Sequence, residues 1–106
     1  MFDYTQFSRF ISINEAVQRY LDTAQTYRFA MKAFVEVLRV RNIDPDHEDI
    51  RTLSEDAISW FATYLKDYAS ATESLYLQAV KNFYEYLAAE KISSPNLPRI
   101  RLLIHQ

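Results

Sequence analysis

Three cations, Arg28, Lys32 and Arg39, are spaced so that at about 100° per residue they fall within an arc of roughly 40° on one helix face. Long cationic side chains aligned on an exposed face can pair with phosphate oxygens and release counterions. The same spacing is equally that of an ordinary solvated helix face. A second row, Ser74, Gln78 and Lys81 with Glu85 beyond them, repeats at helical spacing too. Its hydroxyl, amide and ammonium groups suit phosphates or base edges, and glutamine can pair bidentately with adenine.

Other chemistry is poorly supplied. His47 sits in an acidic stretch and His105 near the end of the chain, too isolated for a metal site or a catalytic pair. The acids Asp44, Asp46, Glu48 and Asp49 have the density of a calcium loop but lack its glycine and its correctly spaced glutamate, and read as a solvated loop facing away from a nucleic-acid partner. Most of the 8 tyrosines fall on or beside apolar stripes, which points to core packing. There is no cysteine, hence no disulfide or thiolate metal site, in keeping with a reducing cytoplasm. There is also no glycine, which excludes a phosphate-cradling loop or a dinucleotide fingerprint. Positive-φ turns would have to lean on Asn42, Asn82 or Asn96, which argues against a β-rich fold. No catalytic residue, metal ligand or cofactor is expected.

At 106 residues, 49% hydrophobic and 15% aromatic, the chain suffices for one all-α domain with a real core. It has no run of about 18 apolar residues to span a membrane. The opening MFDYTQFSRF carries an early acid and no continuous apolar stretch, unlike a secretory signal. The net charge of −2 is unevenly spread. Residues 44–67 hold Asp44, Asp46, Glu48, Asp49, Glu55, Asp56 and Asp67 against only Arg51 and Lys66, so a basic face elsewhere is compatible with the acidic total.

Four helices must position these rows. Ser12 and Glu15 have capping-box spacing, and Ile13, Ala16, Val17, Tyr20 and Leu21 follow as a stripe, predicting a helix over 13–22. Phe2, Tyr4, Phe7, Phe10 and Ile11 before it read as an apolar arm. Thr23 can cap a second helix running through Thr26 to about Arg39, its inner side Tyr27, Ala30, Phe34, Val37 and Leu38 lying nearly opposite the cations. Ser54 can cap a third, with Ile58, Phe61, Ala62, Leu65 and Tyr68 inward. A fourth opens near Ser70 or Thr72, Ser70 and Glu73 offering a capping box, with Tyr76, Ala79, Val80, Phe83 and Leu87 inward. Pro95 and Pro98 read as ending the helical region, and RIRLLIHQ as a linker or the start of another helix.

The order of these features resembles the N-terminal core-binding, SAM-like domain of the tyrosine recombinase and phage integrase family. The resemblance covers roughly Ser12–Arg101 and is carried by Thr23-Ala24-Gln25-Thr26, Ile50-Arg51-Thr52-Leu53-Ser54, Val80-Lys81-Asn82-Phe83-Tyr84-Glu85-Tyr86-Leu87 and the close at Pro95-Asn96. The chain departs from the family where glycine usually follows the fourth helix, a place taken here by Lys91, and in the inverted order of the Asn-Pro pair.

The resemblance implies a four-helix SAM-like orthogonal bundle with an N-terminal apolar arm. Residues 1–11 would be the arm, 12–98 the DNA-binding domain, and 99–106 the start of a linker to a catalytic domain outside these residues. It implies a domain, non-catalytic by itself, that grips duplex DNA at a recombination core site. The second and fourth helices would face the major groove through Arg28, Lys32, Arg39, Ser74, Gln78 and Lys81. Partners would be double-stranded DNA, the parent chain's own catalytic domain and other protomers of a synaptic tetramer, with no membrane involved. The setting would be cytoplasmic and nucleoid-associated, in a prokaryote or phage. In that family the nucleophilic tyrosine and its arginine and histidine partners belong to the catalytic domain. The competing reading is a small helical protein–protein interaction module that does not bind DNA.

Overall fold

The structure, a computed structural model, describes residues 9–104. Most of the expected apolar arm, and His105, therefore lie outside the described residues. Among those residues the chain forms five α-helices and no strand: α1 (Ile13–Thr23), α2 (Arg28–Val40), α3 (Asp56–Tyr64), α4 (Ser70–Ala89) and α5 (Leu97–Ile104). Short 3₁₀ turns occupy Gln25–Tyr27, Ile50–Thr52 and Leu65–Asp67. The all-α class holds, with one helix more than the four expected.

The extra helix follows from chemistry that the two prolines obscure. Asn96 caps α5, its Oδ1 accepting from the Arg99 N–H at 3.1 Å. Pro98 lies in the first turn, where a helix has no use for the missing N–H. Pro98 thus opens a helix instead of closing the helical region. Ile100 is buried in the common core, Leu103 and Ile104 pack partly against it, and Leu102 is 69% exposed. Arg99 ties α5 to the start of α3 through Asp56 and through Glu55 at 3.6 Å.

The ends of the other helices show where local signals hold. Ser12 Oγ accepts from the Glu15 N–H at 3.0 Å, as the capping box requires. The first two N–H groups of α1 point out of the helix: Ile13 donates to the Glu48 carbonyl at 3.0 Å and Asn14 to the Pro45 carbonyl at 2.8 Å. The acidic loop thereby satisfies helix N–H groups that would otherwise lack partners. Ser54 Oγ accepts from the Asp56 N–H at 3.0 Å at the start of α3.

Two expected caps fail. Thr23 is the last residue of α1 and donates back to the Tyr20 carbonyl at 2.9 Å, so α2 starts at Arg28, after a turn that brings Tyr27 beside Tyr20. Ser70 is already helical; Ala69 holds the cap position of α4 without a side-chain bond. Tyr68, expected inward, is exposed, because the helix gives way at Leu65 to a 3₁₀ turn and Tyr68 is extended.

Helices α2 and α4 both close with Schellman motifs. After α2, Asn42 N–H bonds the Arg39 carbonyl at 2.9 Å and Ile43 N–H the Leu38 carbonyl at 3.0 Å, with Asn42 at φ 63°. After α4, Lys91 N–H bonds the Ala88 carbonyl at 3.2 Å and Ile92 N–H the Leu87 carbonyl at 2.9 Å, with Lys91 at φ 56°. A chain without glycine meets this left-handed requirement with asparagine once and, less comfortably, with lysine.

The core is largely aromatic. Phe34 of α2 meets Phe61 of α3 and Phe83 and Tyr84 of α4, with centroids at 5.5, 6.4 and 6.5 Å. Tyr20 of α1 packs on Phe83 and Tyr86, and its hydroxyl donates to the Ala79 carbonyl at 2.9 Å. Tyr84 donates to the Ser54 carbonyl at 2.8 Å. Burial pushes both phenols well above the ordinary tyrosine range, so they remain neutral donors.

The docking of α5 can be tested by truncation. Ile100→Ala should lower the unfolding free energy by about 2–5 kcal/mol in urea titrations, whereas Leu102→Ala should change it by less than about 0.5 kcal/mol. Equal effects would show that α5 does not share the core.

Candidate nucleic-acid interface

Phe34 and its buried neighbours on α2 turn the opposite side of that helix outward. Arg28, Lys32 and Arg39 are all exposed there, and all three line one cleft between α1 and α2, about 260 Å³ in volume. Val17, Leu21, Met31 and Val35 form its apolar base, and Asn14 and Gln18 its polar α1 side. Among the described residues Arg28 and Lys32 carry no ion pair. Arg39 differs, since its guanidinium is held by Glu36 at 2.8 Å, one helical turn away.

The acidic loop adds a gradient along this cleft. Asn14 Nδ2 donates to Asp46 Oδ1 at 2.9 Å, which brings the loop to the α1 side of the cleft. Asp44 is held below the usual carboxylate range by the hydrogen bond from His47, then by the Asp46 N–H, with Arg39 contributing through its charge. The loop is solvated as expected, but it stands beside the Arg39 end of the cationic row instead of remote from it. Acids thus stand beside the Arg39 end of the row, and its two cations without an ion pair among the described residues are at the Arg28–Lys32 end.

The α4 row is less unified. Ser74 and Gln78 are exposed, Lys81 is half-buried, and none of the three lines the α1–α2 cleft. Gln78 Nε2 donates to Asn82 Oδ1 at 3.0 Å, and Asn82 Nδ2 reaches the Tyr27 hydroxyl at 3.4 Å. This chain of side chains is where the α4 row meets the start of α2, next to Arg28. Lys81 has no ion pair among the described residues. The far end of the same face is neutralised in part, with Glu85 facing Arg101 at 3.9 Å.

The remaining sequence candidates stay outside any reactive arrangement. Among the described residues no group of three or more His, Cys, Asp or Glu side chains is placed to hold a metal ion. No helix among them is long and apolar enough to cross a membrane. Tyr64 and Tyr68 are exposed and share a hydroxyl–hydroxyl contact at 3.3 Å, with no arginine or histidine among their hydrogen-bond partners.

Two features are not visible as motifs. Arg41 lies 4.6 Å above the Trp60 ring, a cation–π contact between the end of α2 and α3. A second cleft, about 780 Å³, gathers Arg9, Arg19, Arg51 and Lys91 from four separate segments. No periodicity links those positions, so only the fold brings them together.

No protein-family model, curated protein or solved structure matches this chain.

The His47–Asp44 pair gives a direct check on the acidic loop. His47 Nδ1 lies 2.6 Å from Asp44 Oδ2, and the hydrogen bond and charge of Asp44 raise the histidine above its ordinary 6.5. Stability from the raised histidine is complete below pH 6.5 and fades as pH climbs through the higher folded value. Stability from the lowered Asp44 is present above pH 3.8 and fades as pH falls through its folded value. Proton NMR should give a His47 midpoint above 6.5 that moves down in Asp44→Asn. An unmoved midpoint would show that the pair does not form in solution.

Proposed function

We propose that this chain is a duplex-DNA-binding domain of the core-binding, SAM-like type found in tyrosine recombinases and phage integrases, with α2 and α4 turned toward the major groove. The observation that carries the reading is the clustering of Arg28, Lys32 and Arg39 on one exposed cleft, with Arg28 and Lys32 free of acidic partners among the described residues. Ammonium and guanidinium groups in this state meet phosphate oxygens without first breaking an ion pair. Gln78 and Ser74 on α4, joined to the start of α2 through Asn82 and Tyr27, supply neutral groups suited to base edges or sugars.

On this reading the domain performs no chemistry itself. It holds the duplex for a catalytic domain of the same parent chain, and neighbouring protomers would be further partners in a synaptic tetramer. Alone it is half of a clamp, monomeric and weakly binding. The arrangement of its first four helices would be the orthogonal bundle of that family, with α5 leading toward the linker.

A second reading has its own support. Phe29 and Val40, on the same helix as the cations, are 72% and 81% exposed, and Leu75 of α4 is 52% exposed. Apolar groups of this size on two helices suit a protein partner. A helical interaction module without DNA binding is the alternative.

Fluorescence titration of short duplexes at two salt concentrations separates the two. Binding should weaken steeply with salt. Arg28→Ala/Lys32→Ala should flatten the logarithmic salt slope by about two, because each phosphate neutralised by a cation adds roughly 0.9 to it. Arg39→Ala, already engaged with Glu36, should have the smaller effect. Undetectable binding at low salt, or equal affinity in the double variant, would leave the interaction module as the better account.

A further inference from the structure

The second cleft takes no part in that reading and shares no lining residue with the α1–α2 cleft. Its walls come from the stretch before α1, from α1 itself, from the turn at Ile50–Thr52, and from the end of α4 with the turn that follows. Its volume of about 780 Å³ falls within the range of roughly 300–1,000 Å³ usual for small-molecule sites.

Three of the four cations of this cleft are ion-paired. Glu15 accepts from both Arg9 at 3.3 Å and Arg19 at 2.5 Å, so one carboxylate orients two guanidinium groups and cancels only one of them. Arg51 is clasped by Asp49 through Nε at 3.0 Å and Nη2 at 2.6 Å. The backbone of Lys91 is set by the left-handed turn after α4, in which the N–H groups of Ile92 and Ser93 both reach the Leu87 carbonyl, at 2.9 and 3.3 Å. Lys91 has no acidic partner among the described residues. Glu90 also lines the cleft; with Arg51 matched by Asp49, Arg9, Arg19 and Lys91 against Glu15 and Glu90 leave one positive charge in excess among the described residues. Ser93 and Ser94 add hydroxyl donors at the rim, and Ile11, Ile50 and Ile92 make an apolar floor.

The geometry points to a binding site for a phosphomonoester with an apolar body, its phosphate between Arg9, Arg19 and Lys91 and its body on the isoleucine floor. The planar fork of a guanidinium can donate to two oxygens of a tetrahedral phosphate, and two guanidinium groups oriented by a shared carboxylate lose little freedom on binding it. A bare phosphate leaves the floor wetted, whereas a nucleoside monophosphate covers it. The site does not depend on the DNA-binding reading.

NMR titration of the full chain with AMP and with inorganic phosphate tests it. AMP should perturb the Lys91–Ser94 amides and the Arg19 side chain, and should bind about tenfold more tightly than phosphate, the difference reporting the apolar floor. Arg9→Ala/Lys91→Asn, in which asparagine keeps the left-handed turn, should weaken AMP at least about tenfold without moving the thermal unfolding midpoint. Arg28→Ala/Lys32→Ala should leave AMP binding unchanged even where it abolishes duplex binding, which keeps the two sites distinguishable. No perturbation at millimolar AMP, perturbations confined to the α1–α2 cleft, or unaltered affinity in the Arg9/Lys91 variant would overturn the assignment. A duplex that displaces AMP and perturbs the same amides would make the cleft a backbone contact and overturn it as well.

Discussion

Phe34 sets the geometry on which the rest depends. Fully buried on α2, its ring touches Phe61 on α3 and both Phe83 and Tyr84 on α4. Edge-to-face pairs of this kind add about 0.5–1.5 kcal/mol each beyond the area they bury, and they have preferred orientations. The rotation of α2 is thereby fixed from inside, so Arg28 and Lys32 on its opposite side have a fixed outward direction. Tyr20 completes the frame by tying α1 to α4 through its ring contacts and its bond to the Ala79 carbonyl. The cleft between α1 and α2 thus has walls held by the same aromatic core.

The absence of glycine shapes the surface in a less obvious way. A helix that must stop and reverse needs a left-handed residue, and this chain assigns the task to Asn42 and Lys91. A lysine in that conformation costs more than glycine would. Its presence adds a cation to the lining of the larger cleft, which Arg9 and Arg19 also line. The acidic residues are similarly placed: the loop that lowers the net charge also satisfies the first N–H groups of α1 and shades the Arg39 end of the cationic row.

Much of the helical plan is legible in the residues alone. The stripes of α1, α2 and α4 predict Ile13, Tyr20, Phe34, Leu38, Phe83 and Leu87 as core, and all are buried. Ser12 and Ser54 cap where their spacing places them. The failures share a cause. Thr23 and Ser70 have capping chemistry, but a hydroxyl near a helix end can also bond backward or lie within the helix, and tertiary packing chooses among these. Tyr68 continues a stripe by spacing, while the switch to a 3₁₀ turn at Leu65 changes its phase. Pro98 has the chemistry of a terminator and of a first-turn residue alike, and the Asn96 cap two residues before it selects the second role.

By itself the sequence determined the all-α class, the faces of the main helices and the alignment of Arg28, Lys32 and Arg39, because each of these is a local property of side-chain type and helical period. Tertiary structure alone decided that the α2 cations share a cleft with α1, that the acidic loop stands beside Arg39, and that α5 packs into the core. It alone brought Arg9, Arg19, Arg51 and Lys91 to one recess. Those arrangements depend on how helices with known faces dock, and docking is set by the shapes of buried rings whose partners are tens of residues away along the chain.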